Sequence, residues 1–157
     1  MAKDPGTYAL IIFLPRAKTI RVGALGMFKF PRGYYIYVGS ALSGLSARIA
    51  RYLANARRLD SRSGILRNLR GERLRQRRRD KKRFWHIDYL LEHARVVDVW
   101  TRASAARLEC RWARAALALP NAQVIAPRFG ASDCDCAAHL VHLAQRPAGA
   151  IGLSSVV

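Results

Sequence analysis

Acidic residues are scarce in this chain of 157 residues: ten Asp and Glu stand against 28 Lys and Arg, for a formal net charge of +18. That shortage makes each carboxylate of the folded body a candidate for a specific role. Cysteine is scarcer still. Cys110, Cys134 and Cys136 are too few and too late in the sequence for a disulfide scaffold, so a reduced, cytoplasmic protein is expected. Long apolar runs are missing as well. The longest, Ala9 to Leu14, is far too short to span a bilayer, so no membrane association is expected. The opening residues Met1-Ala2-Lys3-Asp4-Pro5 carry a charge pair and a proline where a signal peptide would have an apolar core.

What is present is apolar bulk and arginine. Hydrophobic residues make up 51% of the chain, enough for the core of one folded domain and too many for a disordered chain. Twenty-three of the 28 basic residues are arginines, whose planar fork suits bidentate phosphate contacts. Nucleic acid is the expected partner, ahead of an anionic membrane surface or plain solubility. No feature points to a protein partner.

Residues 57–83 hold 13 basic and 3 acidic side chains, a local net of +10. They read as a partly helical, solvated insertion in a single domain over residues 1–146, with a loose tail at 147–157. Arg51, Arg70, Arg77, Arg78, Arg79, Lys81 and Lys82 are the candidate nucleic-acid contacts.

The expected fold is α+β, a small sheet flanked by helices. Tyr8 to Leu14, Thr19 to Val22 and Tyr34 to Val38 read as three consecutive strands of an antiparallel meander. Ser43 or Ser46 is expected to cap a helix running to about Asn55. A short helix over Trp85 to His93 and a strand over Val96 to Trp100 follow. Ser104 is expected to cap a helix to about Leu119, with Gln123 to Ile125 as a small extra strand. Ser132 or Asp133 is expected to cap a last helix to about Ala144.

Several residues could carry chemistry, and each has a plainer reading. If the first and third strands pair, Tyr8 and Tyr37 approach across the sheet, as reactive phenols or as amphipathic core residues. A phenol needs a cation or a metal-bound water beside it to serve as a base at neutral pH. Arg48 could hold a phosphate, or be one more surface arginine. Glu109, placed mid-helix among Leu108, Cys110 and Trp112, could hold a divalent ion or pair with a nearby arginine. His86 and Asp88, near a helix start, could cap it, orient one another or line a cleft. Cys134, Cys136 and His139 form a Cys-x-Cys-x-x-His pattern. With Cys110, His86 or His142 as a fourth ligand they could bind zinc; the plainer reading is buried thiols beside a capping aspartate.

The order of these residues resembles the GIY-YIG nuclease superfamily, with Gly6-Thr7-Tyr8 as the first signature and Tyr37-Val38-Gly39 as the second. The match is closest to a small uncharacterised branch labelled as a domain of unknown function. That branch also has the Tyr37 to Ala41, Arg48 to Arg51, Trp85 to Leu90, Glu109-Cys110 and Phe129 to Leu140 blocks. The resemblance covers about residues 6–142, excluding the 57–83 insertion.

The resemblance implies a compact core with a central three-stranded antiparallel sheet. The implied activity is a divalent-metal-dependent endonuclease hydrolysing DNA phosphodiester bonds, in repair or on particular DNA structures. Tyr8 would be the general base or its relay. Tyr37 would position water or phosphate, Arg48 would stabilise the phosphate, and Glu109 would bind Mg²⁺ or Mn²⁺. Gly39, Tyr52, His86 and Asp88 are the supporting or cleft-lining candidates. Tyr52 stands where many members have histidine, and Ser40 where many have lysine. The alternative is a catalytically inactive nucleic-acid-binding module on the same fold.

Overall fold

The structure, a computed structural model, describes residues 3–60 and 85–149 and a two-residue strand at 154–155. The chain is α+β. Its strands are β1 (Gly6–Leu14), β2 (Lys18–Arg21), β3 (Met27–Phe30), β4 (Gly33–Ala41), β5 (Arg95–Ala103), β6 (Leu140–Leu143) and β7 (Ser154–Ser155). The helices are α1 (Leu45–Asp60), α2 (His86–Leu90) and α3 (Glu109–Leu117), with a 3-10 turn at Gly23–Leu25. No helix among the described residues is long and apolar enough to cross a membrane.

A five-stranded sheet in the order β6-β4-β1-β5-β7 forms the middle layer. Each of its pairings is antiparallel. Strand β1 is central because its run of apolar side chains is buried on both faces. Tyr8, Leu10, Ile12 and Leu14 face one core with Tyr35, Tyr37, Tyr52 and Ile87. Ala9, Ile11, Ile36 and Val38 face the other, against Trp100, Trp112 and Ala116. Alternation along the strands thus supplies two cores, with α1 and α2 over one and α3 over the other.

The expected meander is corrected. Strand β1 pairs directly with β4, from Gly6 opposite Ala41 to Leu14 opposite Gly33. Strand β2 pairs only with β3, as a separate hairpin. The hairpin contributes Ile20 and Phe30 to the core, so these two find burial without joining the sheet. The sheet is also wider than three strands.

The expected helix over 132–144 is not formed. Residues 126–139 run as loop, and Leu140–Leu143 pairs with β4, from Tyr34 opposite Leu143 to Tyr37 opposite Leu140. All four residues of β6 are buried. Strand β4 would otherwise leave an open edge there, and pairing satisfies its backbone groups. The small strand expected at Gln123 reduces to one bridge with His142. In the expected tail, Ser154 and Ser155 pair with Thr101 and Trp100.

Two helix starts also differ. Helix α1 is capped by a distant residue: the Asp4 carboxylate accepts from the backbone and the hydroxyl of Ser46. Those hydrogen bonds, the hydroxyl's first, hold Asp4 below the usual carboxylate range. Ser104 closes only a turn, accepting from the backbone of Ala106 at 3.1 Å, and α3 starts at Glu109. The 57–83 insertion, past the end of α1 at Asp60, lies outside the described residues. Arg70, Arg77, Arg78, Arg79, Lys81 and Lys82 lie there with it.

Candidate active site and metal centre

At the end of the sheet where β1 begins and β4 ends, a cleft of about 480 Å³ opens. Register brings the two tyrosine motifs to it. Gly39 is opposite Tyr8, and Tyr37 is opposite Leu10. Tyr8 and Tyr37 are therefore diagonal neighbours on one face.

Two glycines seat the two phenols. A Cβ on Gly39 would lie 2.5 Å from the Tyr8 hydroxyl oxygen and 2.6 Å from its Cζ. A Cβ on Gly130, whose φ of +71° already favours glycine, would lie 2.9 Å from Cε2 of Tyr37. The glycine of the second signature is thus required by the close approach of the tyrosine of the first.

Tyr8 is 1% exposed, and its hydroxyl lies 3.2 Å from that of Tyr52. Burial raises the Tyr8 phenol above its ordinary value of 10.0; the hydrogen bond to Tyr52 and then the charge of Arg48 act in the opposite direction. Burial also raises Tyr37 and Tyr52. All three are neutral phenols at neutral pH. Tyr52 sits behind Tyr8 and places a hydrogen-bonding group there. Ser40 lines the cleft with its hydroxyl 3.4 Å from that of Thr7.

Arg48 lines the same cleft, with its guanidinium 4.0 Å above the Trp85 ring. The stacking fixes the direction of a long side chain. Trp85 is a platform that sequence reasoning missed, since the basic insertion separates the two residues along the chain. Arg51 has a different partner: its Nη2 lies 3.3 Å from Oδ1 of the buried Asp88. Asp88 does not line the cleft. His86 does, and its Nδ1 accepts a hydrogen bond of 2.9 Å from the backbone of Gly130. Burial depresses its pKa, so the ring is neutral with Nε2 carrying the proton.

Glu109 is the first residue of α3, not a mid-helix residue as expected. A carboxylate is favoured there by the helix dipole. Its side chain is 15% exposed and faces the cleft, with Oε1 3.9 Å from Nε of Arg107. Arg107 also lies 3.8 Å from Asp133, a second cleft carboxylate. Thr7 ties the helix start to the first motif: its hydroxyl accepts from the backbone of Leu108 at 3.3 Å. Glu109, with Asp133 also lining the cleft, fits a hard divalent ion that keeps most of its waters.

Beside this cleft, Cys110, Cys134, Cys136 and His139 bring their ligand atoms within 4.8 Å of one another. Of the fourth ligands considered, the structure selects Cys110. His142 is engaged with the Arg32 carbonyl at 3.1 Å, and His86 with Gly130. His139 Nε2 lies 3.3 Å from Cys134 Sγ and 3.9 Å from Cys110 Sγ. Hydrogen bonding to Cys136, then burial, pushes the Cys110 thiol up to about 12. Burial raises Cys136 and lowers His139.

Six of the expected residues, Tyr8, Tyr37, Arg48, His86, Glu109 and His139, meet in one cleft, with Gly39 beneath them. No curated protein and no solved structure matches the chain. The family described as "Domain of unknown function DUF123" matches residues 7–154, nearly the whole length, and the chain belongs to that family.

Proposed function

We propose that this protein is a divalent-metal-dependent endonuclease that hydrolyses DNA phosphodiester bonds, with a GIY-YIG-like site. The observation that carries the reading is the convergence of Tyr8 on β1, Tyr37 on β4, Arg48 on α1 and Glu109 on α3 around one polar cleft. Four separate elements supply two phenols, one guanidinium and one carboxylate, in a chain whose charge of +18 favours polyanions.

In this reading the scissile phosphate lies against Arg48. The guanidinium, held by the Trp85 ring, stabilises the negative charge that grows on the phosphoryl oxygens. Tyr8 would serve as base only as its phenolate, its own proton first lost to solvent under the charges of Arg48 and the bound ion, or would relay the water's proton by passing its own to solvent, with Tyr52 hydrogen-bonded behind it. Tyr37, pinned by Gly130, lines the wall against which the phosphate is positioned. Glu109 and water would hold Mg²⁺ or Mn²⁺, which supplies a more acidic water or stabilises the leaving oxygen. Arg107, between Glu109 and Asp133, offsets part of their charge.

The test is cleavage of supercoiled plasmid and of a branched duplex with Mg²⁺ or Mn²⁺, by wild type and Glu109→Ala side by side. Cutting by wild type alone supports the reading. Cutting by both removes Glu109 from the mechanism.

A binding module without chemistry is the second reading. It is favoured by one observation: Tyr8 is a buried, neutral phenol whose hydrogen-bond partner is another phenol. Tight binding by both proteins with cutting by neither supports that reading.

A further inference from the structure

We infer that Cys110, Cys134, Cys136 and His139 form a tetrahedral zinc site, separate from the Glu109 carboxylate, that pins the start of α3 to the loop before β6. Three thiols and one imidazole are a closed donor set, with no position left for a reacting water, so the site is structural. Soft thiolates select zinc over the hard ions that suit Glu109.

The geometry fits. Zinc bound at about 2.3 Å to sulfur and about 2.0 Å to nitrogen sets ligand atoms roughly 3.5–3.8 Å apart. The distances from His139 Nε2 to the Cys134 and Cys110 sulfurs, 3.3 and 3.9 Å, bracket that range, and all four atoms lie within 4.8 Å. The ligands come from separate places: the second residue of α3, the 131–138 loop, and the residue before β6.

Their backbone is held where it needs to be. His139 donates to the Phe129 carbonyl at 2.8 Å, and its own carbonyl accepts from Val38 at 3.0 Å. Arg128 Nη1 donates to the Cys136 carbonyl at 2.9 Å, and its backbone donates to Ala137 at 2.7 Å. Three thiolates with a neutral imidazole leave a bound dication with one net negative charge. The charges of Arg114 at Cys136 and Arg128 at His139 offset it.

The loop over 126–139 has no helix or strand of its own. A metal cross-link supplies the order that regular hydrogen bonding does not. It also fixes Glu109, next to Cys110 in the chain, and Asp133, next to Cys134, at the cleft rim. Zinc content is read without any cleavage assay, so this inference and the nuclease reading fail separately.

The test is the metal content of the whole 157-residue chain, expressed with zinc supplied and purified without chelator. One zinc per chain is expected. In Cys134→Ser and Cys136→Ser it should fall well below one. Cobalt added to the reduced, metal-free protein should give thiolate-to-cobalt charge-transfer absorption, weaker by about a third in any single cysteine variant that still holds the ion. Should the variants fail to fold, zinc content and the cobalt spectrum of the wild type still decide. Wild-type protein that holds no zinc and takes up none when reduced would overturn the inference. So would a zinc ion retained in full by both variants, or a thiol count showing a disulfide among the three cysteines.

Discussion

At the residue scale the site is built on the Tyr8 phenol, which touches Tyr52 and lies over Gly39. In the proposed mechanism Tyr8→Phe keeps the fold and lowers the cleavage rate about 10²–10⁴-fold, the usual worth of a positioned proton acceptor. Circular dichroism and single-turnover cutting check this; undiminished cutting would remove Tyr8 from the chemistry. Gly39→Ala is expected to destabilise by about 1–3 kcal/mol and to displace Tyr8, since the new methyl has no space. Urea unfolding measures the first effect and loss of cutting the second. The meeting of Tyr8, Tyr37, Arg48 and Glu109 was legible because short motifs mark them. The partnerships of Tyr8 with Tyr52 and of Arg48 with Trp85 were not, because both join residues far apart in the chain.

At the scale of elements, α1 is held at its start by Asp4 and along its length by Arg51 on Asp88. The Arg51 side chain is 44% exposed, so its pair is worth less than a fully buried one. Arg51→Ala is expected to cost about 1 kcal/mol, mostly from leaving the Asp88 carboxylate buried and unpaired. A lowered urea midpoint at unchanged m is the readout. If Arg51 acted mainly as a phosphate contact, stability would hold and the salt slope of DNA binding would shrink by about 1. Strand β6 shows why one element was misread. Residues 132–144 carry a capping residue and a run of Ala, Cys, His and Leu that suits a helix. The edge of β4 takes up 140–143 as a strand, and the cysteines meet His139 from an irregular loop instead.

At the scale of the whole molecule, positive charge and buried phenols set the behaviour with salt and pH. Deleting residues 57–83, with their net of +10, should flatten the salt dependence of DNA binding, because each phosphate that the protein no longer neutralises takes about 0.9 off the slope. An unchanged slope would show that the segment does not carry the affinity. Burial raises Tyr8, Tyr35, Tyr37 and Tyr52 above 10.0 in the folded state. Above that pH the unfolded chain has lost phenolic protons that the folded chain keeps, so it binds fewer and stability falls as pH rises. This contribution is fully present below about pH 10 and is lost beyond it. Thermal melts between about pH 8 and pH 11.5, followed beside tyrosinate absorbance, should show buried phenols ionising only as the fold is lost.

The sequence by itself determined the β1, β4 and β5 strands, the face that each strand tyrosine takes and the basic character of the chain. Period-two alternation and charge are local properties that need no partner to be read. Tertiary structure alone decided that Glu109 opens its helix, that Cys110 joins Cys134, Cys136 and His139, and that β6 completes the edge of β4. These choices bring together segments far apart in the chain. They are made by which backbone groups still lack hydrogen bonds and which apolar faces still lack cover, and no local pattern records either.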